Sequence, residues 1–315
     1  MILLEHGNAI IQKTLSDKFE KPSALDVQFV DFDGVRYHMW TPEKKTGILL
    51  SMNIRCWDEL AKYGAWDVLG KEYGAYLKPP AAAEPGYNVS LELDLEQAPD
   101  DPEARDALVK SFSLLRRHAL AAPFVKAFQT QKQLDSLPDP TDGSAIPGGE
   151  LMAIHYRDQE AIYVQASHDR VTVIFSTVFQ EDTDRIFGKV FLREFVDARR
   201  LPTIQTAPQV LYSDRDPPPK IRDDPALPKA EDVGYVTFVL FPRHFTNPIT
   251  AEATISHIQL FRDNLHYHIK CSKVYMHTRM RAGVAEFLKV LNRSKVEVAG
   301  EPVRKTVTGR TFSSR

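Results

Sequence analysis

Two stretches of this 315-residue chain place chemically capable side chains at suggestive spacings. The first is QFVDFDGVRYHMW, Gln28 to Trp40, where an apolar run ends in Asp31-Phe32-Asp33-Gly34. In an aspartyl phosphotransferase, Asp31 would attack phosphorus and Asp33 would protonate the leaving group. That chemistry needs the motif at the end of a buried parallel strand. It also needs a Ser/Thr and a Lys for the phosphate and a further acidic pair for Mg²⁺. The neighbours here point elsewhere. Val27 and Phe29 on one side, and Val35, Tyr37 and Met39 on the other, alternate apolar with polar. Asp-Gly is a favoured pair where both central residues of a hairpin turn need positive φ. The motif reads as a turn between two antiparallel strands.

The second stretch is SHIQLFRDNLHYHIKCSKVYMHTRMR, Ser256 to Arg281. His257, His266, His268, Cys271 and His277 are zinc-competent ligands. Nothing between Pro248 and Gly283 breaks a helix, however, and each helical residue turns about 100°. His266 and His268 then point roughly 200° apart, and no four ligands converge. The histidines read as packing and surface groups. A different pattern fits the helix: His266, Lys270, Lys273, His277 and Arg281 fall on one stripe, and Phe261, Leu265, Ile269, Ser272 and Met276 on another, mainly apolar face. Asn247 or Thr250 can cap its start, with Pro248 in the first turn. No phosphate loop, dinucleotide-binding glycine fingerprint, serine elbow or paired catalytic carboxylates occur, so no catalytic residue, cofactor or metal is expected.

The elements that would position these residues recur in order. The first half opens with an amphipathic helix (Leu3, Leu4, Ile10, Ile11, Leu15) and the hairpin DVQFVDFDGVRYHMW. A third strand, TGILLSMNI, leads to an aromatic-rich helix from Cys56 to Tyr76. A strand introduced by Gly86-Tyr87 and a long helix from Pro102 to Gln133 complete the half. After LPDPTDGSAIPGG come a second hairpin, LMAIHYRDQEAIYVQA, the strand RVTVIFSTVF and the segment RIFGKVFLREFVDARR. The loop DPPPKIRDDPALP, a strand containing Gly234-Tyr235 and another long helix follow. The fold class is α+β: two duplicated domains, each an antiparallel sheet packed with helices, plus a long C-terminal helix. The boundaries read are 1–133 and 150–246 for the domains, 134–149 for a Pro/Gly-rich linker, 247–293 for the helix and 294–315 for a basic tail.

Composition sets the frame. With 43% hydrophobic and 26% charged residues the chain can bury a sizeable core. From residue 260 onward there are 12 Lys+Arg against 4 Asp+Glu, although the whole chain carries a net charge of −2. A basic end on an acidic molecule suits docking to something negative. Two distant cysteines fit a reducing compartment, and no run reaches the ~20 apolar residues of a membrane helix. A cytoplasmic location without membrane insertion is expected. About 50 Å of helix exceeds what one small sheet covers, so part of its apolar face is expected to meet another chain.

Several stretches together resemble the 34-kilodalton subunit family of the actin-related protein 2/3 complex. The carriers are DFDGVRYH, GYNVSLELDLE, AIHYRD, DRVTVIFSTVF, TAPQVLYSDRDPP, GYVTFVLFPRH, FRDNLHYHIKCSKVYMHTRMR, FLKVLNRSK and the terminal TGRTFSSR. The resemblance spans nearly the whole chain and is densest from Ile154 onward. It implies a non-enzymatic structural subunit, with nucleotide bound by the two actin-related proteins rather than by this chain. It also implies pairing of the long helix with the 20-kilodalton subunit, association with the remaining subunits, and contact with the side of the mother actin filament in branched nucleation. On that basis Phe261, Leu265, Ile269 and Met276 are expected at the partner helix, and Arg281, Lys289, Arg293 and Lys295 at the filament. Nucleic acid is not expected as a partner. The competing readings are a phosphate-handling hydrolase using Asp31 and Asp33, and an acidic-lipid or nucleic-acid module using the basic end.

Overall fold

A computed structural model describes residues 4–138, 147–179, 181–198, 201, 206–225, 227 and 233–294. Helix α1 (Ala9–Glu20) starts at Asn8, whose side chain accepts the Ile10 and Ile11 N–H groups and so satisfies two orphan donors. It buries Ile11 and Leu15 as the apolar spacing requires. Strands β1 (Asp26–Val30), β2 (Arg36–Trp40), β3 (Gly47–Asn53) and β4 (Val89–Asp94) form an antiparallel sheet in the order β1-β2-β3-β4. Period-two alternation sorts its faces. Met39, Leu50 and Leu91 lie side by side on the buried apolar face. His38, Ser51 and Ser90 occupy the other, where the two serine hydroxyls bond each other at 2.9 Å.

Both helices expected to be continuous in this half are broken. The span Cys56 to Tyr76 becomes α2 (Trp57–Lys62) and α3 (Ala65–Tyr73), because Gly64 takes φ +97° between them. The span Pro102 to Gln133 becomes α4 (Pro102–Ser113) and α5 (Leu115–Asp135). There the Ser113 carbonyl accepts the Asn8 N–H at 3.0 Å, so a residue at the start of α1 takes the acceptor that the next helical turn would have used. Helix α5 is buried on most of its circumference, as a helix enclosed by the fold must be. It packs on α3 on one side and on β6 and β7 of the second sheet on another. Its His118 imidazole is held down to about 4 by burial and then by Arg117, and its Nδ1 lies 2.9 Å from the Tyr73 hydroxyl.

The second sheet contains β5 (Met152–Ile154), β6 (Ile162–Ala166), β7 (Val171–Val178), β8 (Gln209–Asp214) and β9 (Val233–Leu240), ordered β5-β6-β7-β9-β8 and antiparallel throughout. Four of these strands repeat the first sheet's order, with β9 in the place of β4. Strand β8 is an addition that the sequence reading passed over. It is an edge strand of mixed burial between Pro208 and Pro217, so it lacks the apolar alternation that marks its neighbours. Helix α6 (Asp182–Ala198) packs against β8. The Pro-rich stretch after β8 covers the sheet. Ile221 is fully buried in a cluster with Tyr163, Ile174 and Tyr235, and Leu227 packs at its margin.

The expected single helix over 247–293 is two helices, α7 (Pro248–Gln259) and α8 (Phe261–Arg293). Asn247 provides the cap by accepting the Ile249 N–H. The ladder breaks at Leu260, which is buried, and Phe261 then enters an aromatic cluster with Phe175 and Phe238, its ring 4.8 Å from that of Phe238. Tertiary packing thereby overrides a local sequence that contains no helix breaker. By contacts the chain divides into Met1–His266 and Tyr267–Arg315, and both sheets lie in the first unit.

Candidate functional site

The Asp31-Phe32-Asp33-Gly34 segment is the hairpin turn, with Asp33 at φ 61° and Gly34 at φ 71°. The Asp31 N–H donates to the Val35 carbonyl at 2.8 Å and closes the loop. Its carboxylate accepts the Phe32 N–H at 2.7 Å and the Asn8 side-chain amide at 3.0 Å. Neither interaction leaves it poised as a nucleophile, which removes the hydrolase reading. Replacing Gly34 by Val is expected to destabilise the chain by roughly 1–2 kcal/mol through backbone strain alone. A Cβ there would meet no neighbouring atom within 4 Å. Asp31→Asn should stay within about 1 kcal/mol of the parent, since it keeps one acceptor oxygen. Urea unfolding of both variants checks this, and equal midpoints would show that the turn does not require glycine.

Asp33 does more than turn the chain, a role that its local sequence gives no sign of. One carboxylate oxygen lies 2.6 Å from both Nε and Nη2 of Arg157, and the other 3.4 Å from Nη1 of Arg116. Arg157 also reaches Glu160 at 3.5 Å, and Glu160 pairs with Arg262 at 2.9 Å. Asp263 lies within the same field. Desolvation and then the Asp33 charge raise its pKa, against opposing pulls from Arg116, Arg262 and Arg157. The network therefore joins the first hairpin, α5, the β5–β6 connection and the first turn of α8. The members are up to hundreds of residues apart in sequence, and only the fold brings them together.

Beside it, Ala153 N–H donates to the Tyr63 hydroxyl at 3.3 Å, and His155 N–H to Glu59 at 2.6 Å. Arg117 donates to the Ser256 hydroxyl at 3.1 Å and to the Glu252 carbonyl at 2.9 Å. These bonds tie the two sheet-bearing halves into one compact unit. The arrangement consumes its charges in pairs. It is suited to holding a geometry, not to cycling protons.

The histidine-rich stretch spans the end of α7 and most of α8. His257 is exposed on α7, and the His266 ring stacks on Phe179 with centroids 5.6 Å apart. Cys271 is exposed. Of the four residues expected at a partner helix, Phe261 packs in the aromatic cluster, and Leu265 and Ile269 are 3% and 0% exposed. Those three are covered without any second chain. Met276 differs, being 48% exposed.

Beyond it, Met280, Val284, Phe287 and Leu291 are exposed as well. With Met276 they are spaced four, four, three and four residues apart, which places all five on one face of α8. That face continues the line of Leu265 and Ile269 along the helix. Lys289 and Arg293 are exposed on roughly the opposite side and Arg281 on the flank, about 60° round the helix from Val284, while Lys295 lies outside the described residues. Arg279 donates to the Tyr275 hydroxyl at 2.8 Å and sits over that ring.

Comparison with known proteins agrees with the resemblance carried by the motifs. The family model described as "Arp2/3 complex, 34 kD subunit p34-Arc" matches residues 50–298. A Schizosaccharomyces pombe protein named actin-related protein 2/3 complex subunit 2 is 54% identical, over 99% of both chains. A Dictyostelium discoideum protein of the same name is 36% identical, again over 99% of both chains. With a matched family model over most of its length and relatives this similar end to end, the chain belongs to the p34-Arc family of Arp2/3 complex subunits.

Proposed function

We propose that this chain is a non-enzymatic scaffold of the actin-nucleating Arp2/3 complex, pairing through α8 with the 20-kilodalton subunit and presenting cations to the side of the mother filament. The observation that carries the reading is the exposed seam Met276, Met280, Val284, Phe287 and Leu291. A helix surface with five large apolar side chains in register is costly in water and is suited to packing against another helix. At ~1.5 Å per residue the 33-residue helix is about 50 Å long. On this reading the partner interface lies further along α8 than Phe261, Leu265 and Ile269, with Met276 as its first member.

Pairing along the seam leaves Lys289 and Arg293 on the far side and Arg281 on the flank, followed in sequence by Lys295. Actin filaments are negatively charged, and cations at a rim speed encounter and orient docking. The actin-related proteins and the remaining subunits would be held by the same scaffold, which itself binds no nucleotide.

Two variants separate the roles. Met280→Asp with Phe287→Asp should leave the chain folded, because both positions are exposed, but should abolish co-purification of the 20-kilodalton subunit. Reversing Arg281, Lys289, Arg293 and Lys295 to Glu should leave the complex assembled, since exposed charges contribute little to a fold. It should weaken filament co-sedimentation about tenfold at low salt and flatten its salt dependence. Intact partner binding by the first variant would refute the seam. Unchanged co-sedimentation by the second would move the filament contact elsewhere.

A further inference from the structure

The outer face of the second sheet is only partly sealed by the Pro-rich stretch that follows β8. Ile221 closes one part of it, against Tyr163, Ile174 and Tyr235. Between the Pro217–Pro219 turn and strands β7, β9 and β8, a cavity of about 630 Å³ remains. It is a cleft open to solvent on one side, and its volume falls within the range of small-molecule sites.

The lining has two parts. Ile174, Leu211 and Val239 provide an apolar floor, flanked by the methyl-bearing side chains of Thr172 and Thr237. Strand register explains the grouping, since Leu211 lies opposite Thr237, which lies opposite Ile174. The rim carries Arg170, Lys220 and Arg222 with Asp169 and Asp216, three cations against two carboxylates.

Not all of these charges are available. Arg170 and Asp169 satisfy each other through two contacts of 2.8 Å. The Lys220 ammonium donates to the hydroxyls of Ser167 at 3.2 Å and Thr172 at 3.1 Å, which occupies two of its three donors. Among the described residues, neither Lys220 nor Arg222 has a carboxylate within ion-pair distance. An ammonium without an ion pair at the mouth of an apolar cleft, with Arg222 also in the lining, is complementary to one kind of small molecule. That molecule has an apolar body and a single anionic end.

We propose that this cavity binds an amphiphilic monocarboxylate, its hydrocarbon lying on Ile174, Leu211 and Val239 and its carboxylate held by Lys220 and Arg222. Burial of the chain on the sheet supplies affinity, and the charge-assisted bonds at the rim fix its direction. A cation of the same length would meet Lys220 and Arg222 end-on and be rejected. The site is independent of the α8 surface: it lies on the second sheet, in the Met1–His266 unit.

Isothermal titration of the full-length chain, or of the assembled complex, with decanoate below its micelle concentration tests the assignment. Decylamine serves as the comparison. Decanoate should saturate a single site, and decylamine should bind at least about tenfold more weakly, a difference of ~1.4 kcal/mol. Leu211→Asp places a carboxylate on the floor at a position 47% exposed, where the fold tolerates it, and should abolish decanoate binding. Arg222→Gln should weaken binding severalfold without altering the thermal midpoint. The proposal is overturned if decanoate does not saturate, if decylamine binds equally well, or if Leu211→Asp binds decanoate like the parent.

Discussion

Replacing Leu265 and Ile269 together by Asp is expected to abolish recovery of soluble, folded chain. Both side chains are buried, at 3% and 0% exposure. Burying an ionised carboxylate without a partner costs several kcal/mol even after it takes up a proton. Two such costs are comparable with the 5–15 kcal/mol by which a typical domain is stable. Met280→Asp with Phe287→Asp makes the same chemical change on the same line of the same helix, yet at positions more than 60% exposed. That pair should unfold nothing. Soluble yield and circular dichroism of the two double variants compare burial directly. A folded Leu265→Asp/Ile269→Asp chain with the parent's melting point would contradict the packing of α8 described above.

The second large effect is expected at Asp33. Asp33→Asn keeps a residue that tolerates positive φ at the turn, so the change isolates the charge. It leaves Arg116, whose side chain is 8% exposed, without its paired carboxylate, and leaves the two 2.6 Å contacts of Arg157 to a neutral amide oxygen instead of a charged one. Removing one partner of a buried pair commonly costs 3–5 kcal/mol. One compensation is built in. Asp33 is among the groups that raise the Asp263 pKa, and Arg116 acts on Asp263 in the opposite sense, so Asp263 remains as a counter-charge for Arg116 when Asp33 is neutralised. A net loss of about 2–4 kcal/mol follows. The test is urea unfolding together with titration of Asp263 by carboxyl NMR. The unfolding midpoint should fall, and the Asp263 pKa should move back towards 3.8. A loss below about 0.5 kcal/mol would show that the network is a set of independent surface pairs, whose usual worth is that small.

These two cases also mark what could be read before the fold was known. The hairpin register around Asp33-Gly34, the strands of both sheets other than β8, and the apolar line on α8 follow from local rules. Alternation by two or by three and four residues, and a turn pair that needs positive φ, are written into adjacent residues. Family membership was likewise legible, because long runs such as FRDNLHYHIKCSKVYMHTRMR act together as a specific pattern. The tertiary structure decided the remainder. Helices broke at Leu114 and Leu260 without a breaker residue, because a distant Asn8 took the Ser113 carbonyl and an aromatic cluster captured Phe261. The apolar line on α8 is uniform in sequence, but only the fold divides it into a buried part at Leu265 and Ile269 and an exposed part from Met276 onward. Asp33 acquired its ion pairs from Arg116 and Arg157, 83 and 124 residues away. The physical reason is common to all of these. Backbone geometry and periodicity are properties of neighbours, whereas burial and charge pairing depend on which distant surfaces the whole chain brings into contact.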